Sequence, residues 1–277
     1  MMIDALLDAF SDTLRILPFL FAAFLLLEAI EHYAGQYGNR LLSKVGKAGP
    51  LAGAISGCIP QCGFSAAAAN LYSGGLISLG TLLAVFLSTS DEAVLILFAH
   101  PGSGKTIALL LFSKVLIGAL AGFVIDFLFR NKKAEKHIDD MCKTCGCHEG
   151  NGIFRPALKH TARLTAWLFV FTLGLNLLLA FAGMERLSGF LGKDTLFQPF
   201  FAALLGMIPN CAASVLITEL YLAGGLSFGS AIAGLSAGAG VGLAVLFREN
   251  HPMKENFKIL LLLYIIAVAA GCALSVF

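Results

Sequence analysis

The sequence predicts an all-α polytopic membrane protein, an inverted repeat of two halves, each made of three transmembrane helices and one re-entrant, broken helical hairpin. Three observations carry this prediction. Of the 277 residues, 58% are apolar and 13% charged, more apolar surface than one soluble core can hide. The motif Gly57-Cys58-Ile59-Pro60-Gln61-Cys62-Gly63 returns as Gly206-Met207-Ile208-Pro209-Asn210-Cys211-Ala212, at a fixed offset of 149 residues. Lys and Arg fall unevenly about the apolar segments, which sets the direction of each.

Without a gap, the same offset aligns Pro50 with Pro199, Ser65 with Ser214, Leu71-Tyr72 with Leu220-Tyr221, Gly75 with Gly224, Gly80 with Gly229 and Leu97-Phe98 with Leu246-Phe247. Apolar runs long enough to cross a bilayer cover residues 13 to 33, 76 to 99, 106 to 129, 160 to 183, 225 to 247 and 256 to 277. The first is too long, and too acidic upstream at Asp4, Asp8 and Asp12, for a cleaved signal peptide. Residues 49 to 73 and 197 to 222 hold the repeated motif. Each of these two segments opens with a proline, which suits a first helical turn, and is broken at Ile-Pro. Arms of about ten residues reach about 15 Å, half the hydrocarbon thickness, and therefore fit a hairpin that returns to its own side. The chain divides into a first repeat, 1 to 129, a polar loop, 130 to 159, and a second repeat, 160 to 277.

Charge tests re-entry against crossing. With both hairpins re-entrant, the inner loops carry Arg40, Lys44 and Lys47, then Arg130, Lys132, Lys133, Lys136, Lys143, Arg155 and Lys159, then Arg248, Lys254 and Lys258. The outer loops keep Lys105, Arg186 and Lys193. If both segments crossed, the first and last inner groups would move outside and the bias would nearly vanish, so the positive-inside rule favours re-entry. Both termini then lie outside, the central loop is cytoplasmic, and three crossings per half invert the halves. Broken elements meeting at the midplane of inverted repeats are a common design for a transporter's substrate site.

The hairpin tips carry the chemistry. Cys58 closes the first arm, while Cys62 and Cys211 open second arms, where the positive end of the helix dipole favours the thiolate that binds soft metals and metalloids. Pro60, Gln61, Ser65, Pro209, Asn210 and Ser214 complete the two tips. An isolated Cys in lipid, such as Cys272, reads as a small hydrophobe; helix N-termini also attract oxyanions without any thiol. Within the span 76 to 99, read as one helix, Ser88-Thr89-Ser90-Asp91-Glu92 forms a hydroxyl-rich, acidic patch at a depth where ionisable groups are costly. Lys114 lies at similar depth in the next span and is the expected partner. The second copy has Leu263 at that position, and Ala237 to Val241 opposite the patch. Such a pair can be a structural ion pair, but two carboxylates against one ammonium leave a surplus acid for a proton or a hard cation. Asp126 and Arg130 read as an i,i+4 pair, and Glu219 as a secondary candidate.

The seven Cys make no secreted disulfide framework. In the central loop His137, Cys142, Cys145, Cys147 and His148 cluster closely enough to hold a metal ion, although the spacing matches no standard finger and a solvated linker with incidental thiols is the plain alternative. No other cofactor is indicated. Gly102 to Thr106 ends like a phosphate loop but lacks its first glycine, so no ATP site is expected.

The paired Gly-x-Ile-Pro-x-Cys motifs, the run Ser88 to Glu92 and the Cys-rich loop resemble the heavy-metal exporters related to the arsenic efflux permeases, whose members are labelled arsenic efflux protein or manganese transporter. The resemblance covers most of the chain. It implies a permease of the bacterial inner (plasma) membrane with ten membrane segments, a number that six spans and two two-armed hairpins also make. The expected function is secondary active efflux of a heavy metal or metalloid ion, not enzymatic catalysis. The partners are that ion and the bilayer, with no nucleic acid and with a homo-oligomer left open. A permease for a small anion or sulfur compound is the alternative; a membrane thiol-redox enzyme is weakened by the Cys-x3-Cys spacing.

Overall fold

A computed structural model describes residues 48–59, 62–100, 103–129, 197–251 and 253–275, with isolated positions in 10–25 and 154–174; the side chains of Cys62, Asp91, Glu92, Cys211 and Ala212 are outside the description. The described residues are helical and contain no strand. In chain order the first half gives α1 (Gly49–Gly57), α2 (Cys62–Ser73), α3 (Leu79–Ser88), α4 (Asp91–Ala99) and α5 (Gly104–Leu128). The second gives α6 (Gln198–Gly206), α7 (Cys211–Leu222), α8 (Phe228–Ala237), α9 (Val241–Glu249) and α10 (Met253–Ser275).

Local chemistry recurs with the sequence offset. α1 and α6 each carry proline in the first turn, where its missing N–H removes nothing. α2 and α7 end on glycines in the left-handed region, Gly75 at φ 74° and Gly224 at φ 73°, which only glycine adopts without penalty. α3 and α8 start from serine N-caps: Ser78 Oγ accepts from Thr81 N, and Ser227 Oγ from Ser230 N, both at 3.1 Å.

Packing follows the repeat as well. Within each half the third helix lies against the fifth and the first, α3 on α5 and α1, α8 on α10 and α6. Glycine pairs bring these backbones together. A methyl placed on Gly122 would lie 2.7 Å from the Gly80 carbonyl oxygen, and one on Gly271 would lie 2.7 Å from that of Gly229. The second arms cross over instead, α2 packing on α9 of the other half and α7 on α4. Each motif segment thus has its two arms committed to different halves.

Four stretches are long and apolar enough to span a membrane: Leu79–Ala99, Gly104–Leu128, Phe228–Glu249 and Met253–Ser275. The first and third are central, 69% and 89% buried, whereas α5 and α10 are 33% and 28% buried. α5 buries Leu110, Lys114, Gly118, Gly122 and Ile125 along one stripe and exposes Phe112, Leu116, Leu120, Phe123 and Phe127 along the other, the pattern of a peripheral membrane helix.

The two central spans correct the sequence expectation. Residues 76 to 99 and 225 to 247 read as continuous helices, but each is broken in its middle, after Ser88 and after Ala237. The breaks have different chemical causes. In the first, Ser88 Oγ donates to Ala84 O at 2.8 Å and Thr89 Oγ1 to Val85 O at 2.7 Å, and the backbone leaves the helix at Thr89 (φ −56°, ψ 127°). In the second, Gly238 departs at ψ 84° and Gly240 takes φ 51°, ψ −139°. Hydropathy sees one continuous apolar run in each case. The signal lay in the alignment of Thr89 and Asp91 with Gly238 and Gly240.

Candidate functional site at the junction of broken helices

The ends of the short helices meet at one place. α1 stops at Gly57, where a methyl would overlap Ser88 Oγ and lie 2.7 Å from Val85 O, so the last turns of α1 and α3 touch through backbone. A methyl on Gly118 of α5 would lie 2.8 Å from Ala84 O and 3.5 Å from Ser88 Cβ. Gly206, ending α6, lies similarly against the Gly234 carbonyl of α8.

Lys114, one turn before Gly118, is fully buried here. Its Nζ donates to the Thr89 carbonyl, just past the end of α3, and to the Leu235 carbonyl in the last turn of α8 at 2.7 Å. Those oxygens are the orphan acceptors that a broken helix leaves. Ala239 N, the normal partner of Leu235 O, turns to Ala237 O instead, at 3.1 Å. A cation at two helix C-termini meets the negative ends of both dipoles. Cys58 is half-buried at the end of α1.

The predicted hydroxyls of the first half are all interior. Ser65, Ser88, Thr89 and Ser90 are buried, and Ser90 Oγ donates to Ser88 O at 3.2 Å. With their protons turned to the backbone, the hydroxyls of residues 88 to 90 have oxygen lone pairs to offer a cation. In the second half Asn210 is buried, its N–H on Ile208 O at 2.7 Å, while Pro209 and Ser214 are partly buried. A cavity of about 10 Å³, room for about one water, is lined by Asn210, Ser214, Gly234, Leu235, Gly238 and Gly240. Its lining includes Leu235, whose carbonyl accepts from Lys114.

Cys62, Asp91 and Cys211 open α2, α4 and α7, but their side chains, with that of Glu92, lie outside the described residues, as do Pro60 and Gln61. The loop residues His137, Cys142, Cys145, Cys147 and His148 lie outside them too, as does Arg130. Among the described residues no three His, Cys, Asp or Glu side chains come together. Two candidates are reassigned. Asp126 accepts from Ser78 Oγ at 2.6 Å and Gly80 N at 2.9 Å, anchoring the start of α3; Glu219 is exposed. Sequence reasoning missed that Lys114 also reaches α8, because no local pattern links a residue to an acceptor in the other half.

A family profile described as "Putative, 10TM heavy-metal exporter" matches residues 1–183 and 170–277. The chain belongs to this heavy-metal exporter family. Membership agrees with the all-helical fold and its membrane-length helices, and makes the chain a multi-pass membrane protein. Neither a curated protein nor a solved structure matches it. In this exporter-family chain, the buried ammonium sits where broken helices of both halves converge.

Proposed function

We propose that the chain is a secondary active permease of the inner membrane that exports a heavy metal or metalloid ion through the junction of its broken helices. The observation that carries the reading is the convergence of α1, α3 and α8 on a buried ammonium in a member of a heavy-metal exporter family. Inverted repeats account for it: each half contributes a re-entrant hairpin and a broken span, and the exchanged packing of α2 on α9 and α7 on α4 supports that symmetry. Soft ions would be taken by Cys58, Cys62 and Cys211; a hard ion such as manganese by Ser88 to Ser90 with Asp91 and Glu92. Asp91 and Glu92, the expected partners of Lys114, would give the proton-linked coupling group, and the loop cysteines a collecting point for the ion before export.

Cells expressing the protein are challenged with arsenite, methylated arsenicals, manganese, zinc and cadmium. Protection against at least one is expected, and no protection against any would sink the reading. For a soft ion, Cys62→Ser with Cys211→Ser abolishes protection; for manganese it leaves most of it. The helix N-termini of α2 and α7 at the repeated motif support a second reading, a permease for a small anion or sulfur compound. Metal-independent anion uptake by vesicles holding the purified protein would establish that one instead.

A further inference from the structure

The surroundings of Lys114 Nζ are those of an ion site. Among the described residues Nζ donates to carbonyls of different halves, Thr89 from the first and Leu235 from the second. Both are carbonyls at helix C-terminal ends, where the partial negative charge of the dipole is concentrated and no N–H of their own helix satisfies them. Carbonyl ends of broken helices are the groups that hold monovalent cations in transporters with interrupted spans. At the equivalent position of the second half the ammonium has no counterpart: Leu263, buried and apolar, stands opposite Lys114 in the repeat. One charge therefore serves both halves.

We propose that Thr89 O and Leu235 O form a monovalent-cation site shared by the two repeats, and that the Lys114 ammonium is its built-in occupant. The side chain supplies the charge that a free ion would bring, and ties together the two interrupted spans. The cation site does not depend on which ion is exported. Removing the ammonium leaves two buried carbonyls without their cation, and the space it vacates accepts a small cation from solution. Leu235 also borders the water-sized cavity.

The test uses the full-length protein purified in detergent, with thermal unfolding as the readout. Lys114→Ala is expected to lower the midpoint by about 5 to 10 °C, from two buried acceptors losing their donor. Methylammonium chloride is expected to restore a substantial part of that loss in Lys114→Ala and to leave the parent almost unmoved. Choline chloride at equal ionic strength, whose cation is too bulky, restores nothing. Lys114→Gln keeps amide donors and removes the charge; it is expected to be destabilised as well. Failure of methylammonium to act selectively on Lys114→Ala overturns the proposal. So does parent-like stability of Lys114→Gln, which would make hydrogen bonding sufficient without a cation and remains readable if the alanine variant cannot be isolated. Absence of metal protection by the parent protein, together with intact methylammonium rescue of Lys114→Ala, would count against the exporter reading alone.

Discussion

Asp126 illustrates how a single side chain fixes the start of an interior helix. At the far end of α5, it accepts from the hydroxyl that caps α3 and from the free N–H of Gly80 in that helix's first turn. A carboxylate at a helix N-terminus gains from the dipole as well as from two charge-assisted hydrogen bonds. Asp126→Ala removes both at once and leaves Gly80 N unpaired in a partly buried position. The expected loss is about 1 to 3 kcal/mol, with Asp126→Asn retaining part of it because one carbonyl oxygen remains. Denaturant titration of the purified protein measures both. Equal stability of Asp126→Ala and the parent would mean that Ser78 caps α3 without help.

Between elements, stability rests on how closely backbones approach. Gly122 and Gly80, with their counterparts Gly271 and Gly229, leave no room for a side chain, whereas nothing lies within 4 Å of a methyl added to Gly104. Gly122→Leu should therefore separate α3 from α5 at a cost beyond the usual 1 to 3 kcal/mol for overpacking, since backbone and not a movable side chain stands in the way. Gly104→Ala should be neutral or stabilising by up to about 1 kcal/mol, because it removes chain entropy in a helix without a clash. The folded yield and thermal midpoint of the two variants separate the cases. The same elements mark what the sequence could disclose. Four of the six apolar runs appear as helical stretches of membrane length, two of them unbroken, because length and hydropathy alone define them; the other two fall largely outside the described residues. The breaks at Thr89 and Gly238 did not stand out, since hydroxyls bonded back to their own helix and isolated glycines hardly change mean hydropathy. At the site, depth counting brought Lys114 level with Ser88 to Glu92, and its bond to Thr89 O lies in that run. The bond to Leu235 was not legible, because it spans 121 residues and depends on how the halves interlock.

At the scale of the whole molecule, the halves interlock and do not merely abut. The second arms exchange partners, Tyr72 of α2 donates to Glu255 at the start of α10, and Lys114 reaches α8. An exchange of this kind follows from any two-fold relation between the halves, with the axis in the membrane plane or along its normal, and it makes orientation the property to test. Lys105 and Lys254 are equivalent under the 149-residue offset, and both are exposed in the first turn of an unbroken spanning helix, α5 or α10. If the repeats are inverted, these two positions face opposite sides of the membrane, Lys105 outside and Lys254 inside. Lys105→Cys should then react with a membrane-impermeant maleimide in intact cells. Lys254→Cys should react only after permeabilisation, each measured against the labelling of the parent's own cysteines. Reaction of both from the same side would make the halves parallel and remove the inverted-repeat reading. It would leave the shared cation at Lys114 intact, because that bridge needs only that α3 and α8 end at one point, whichever way the halves run.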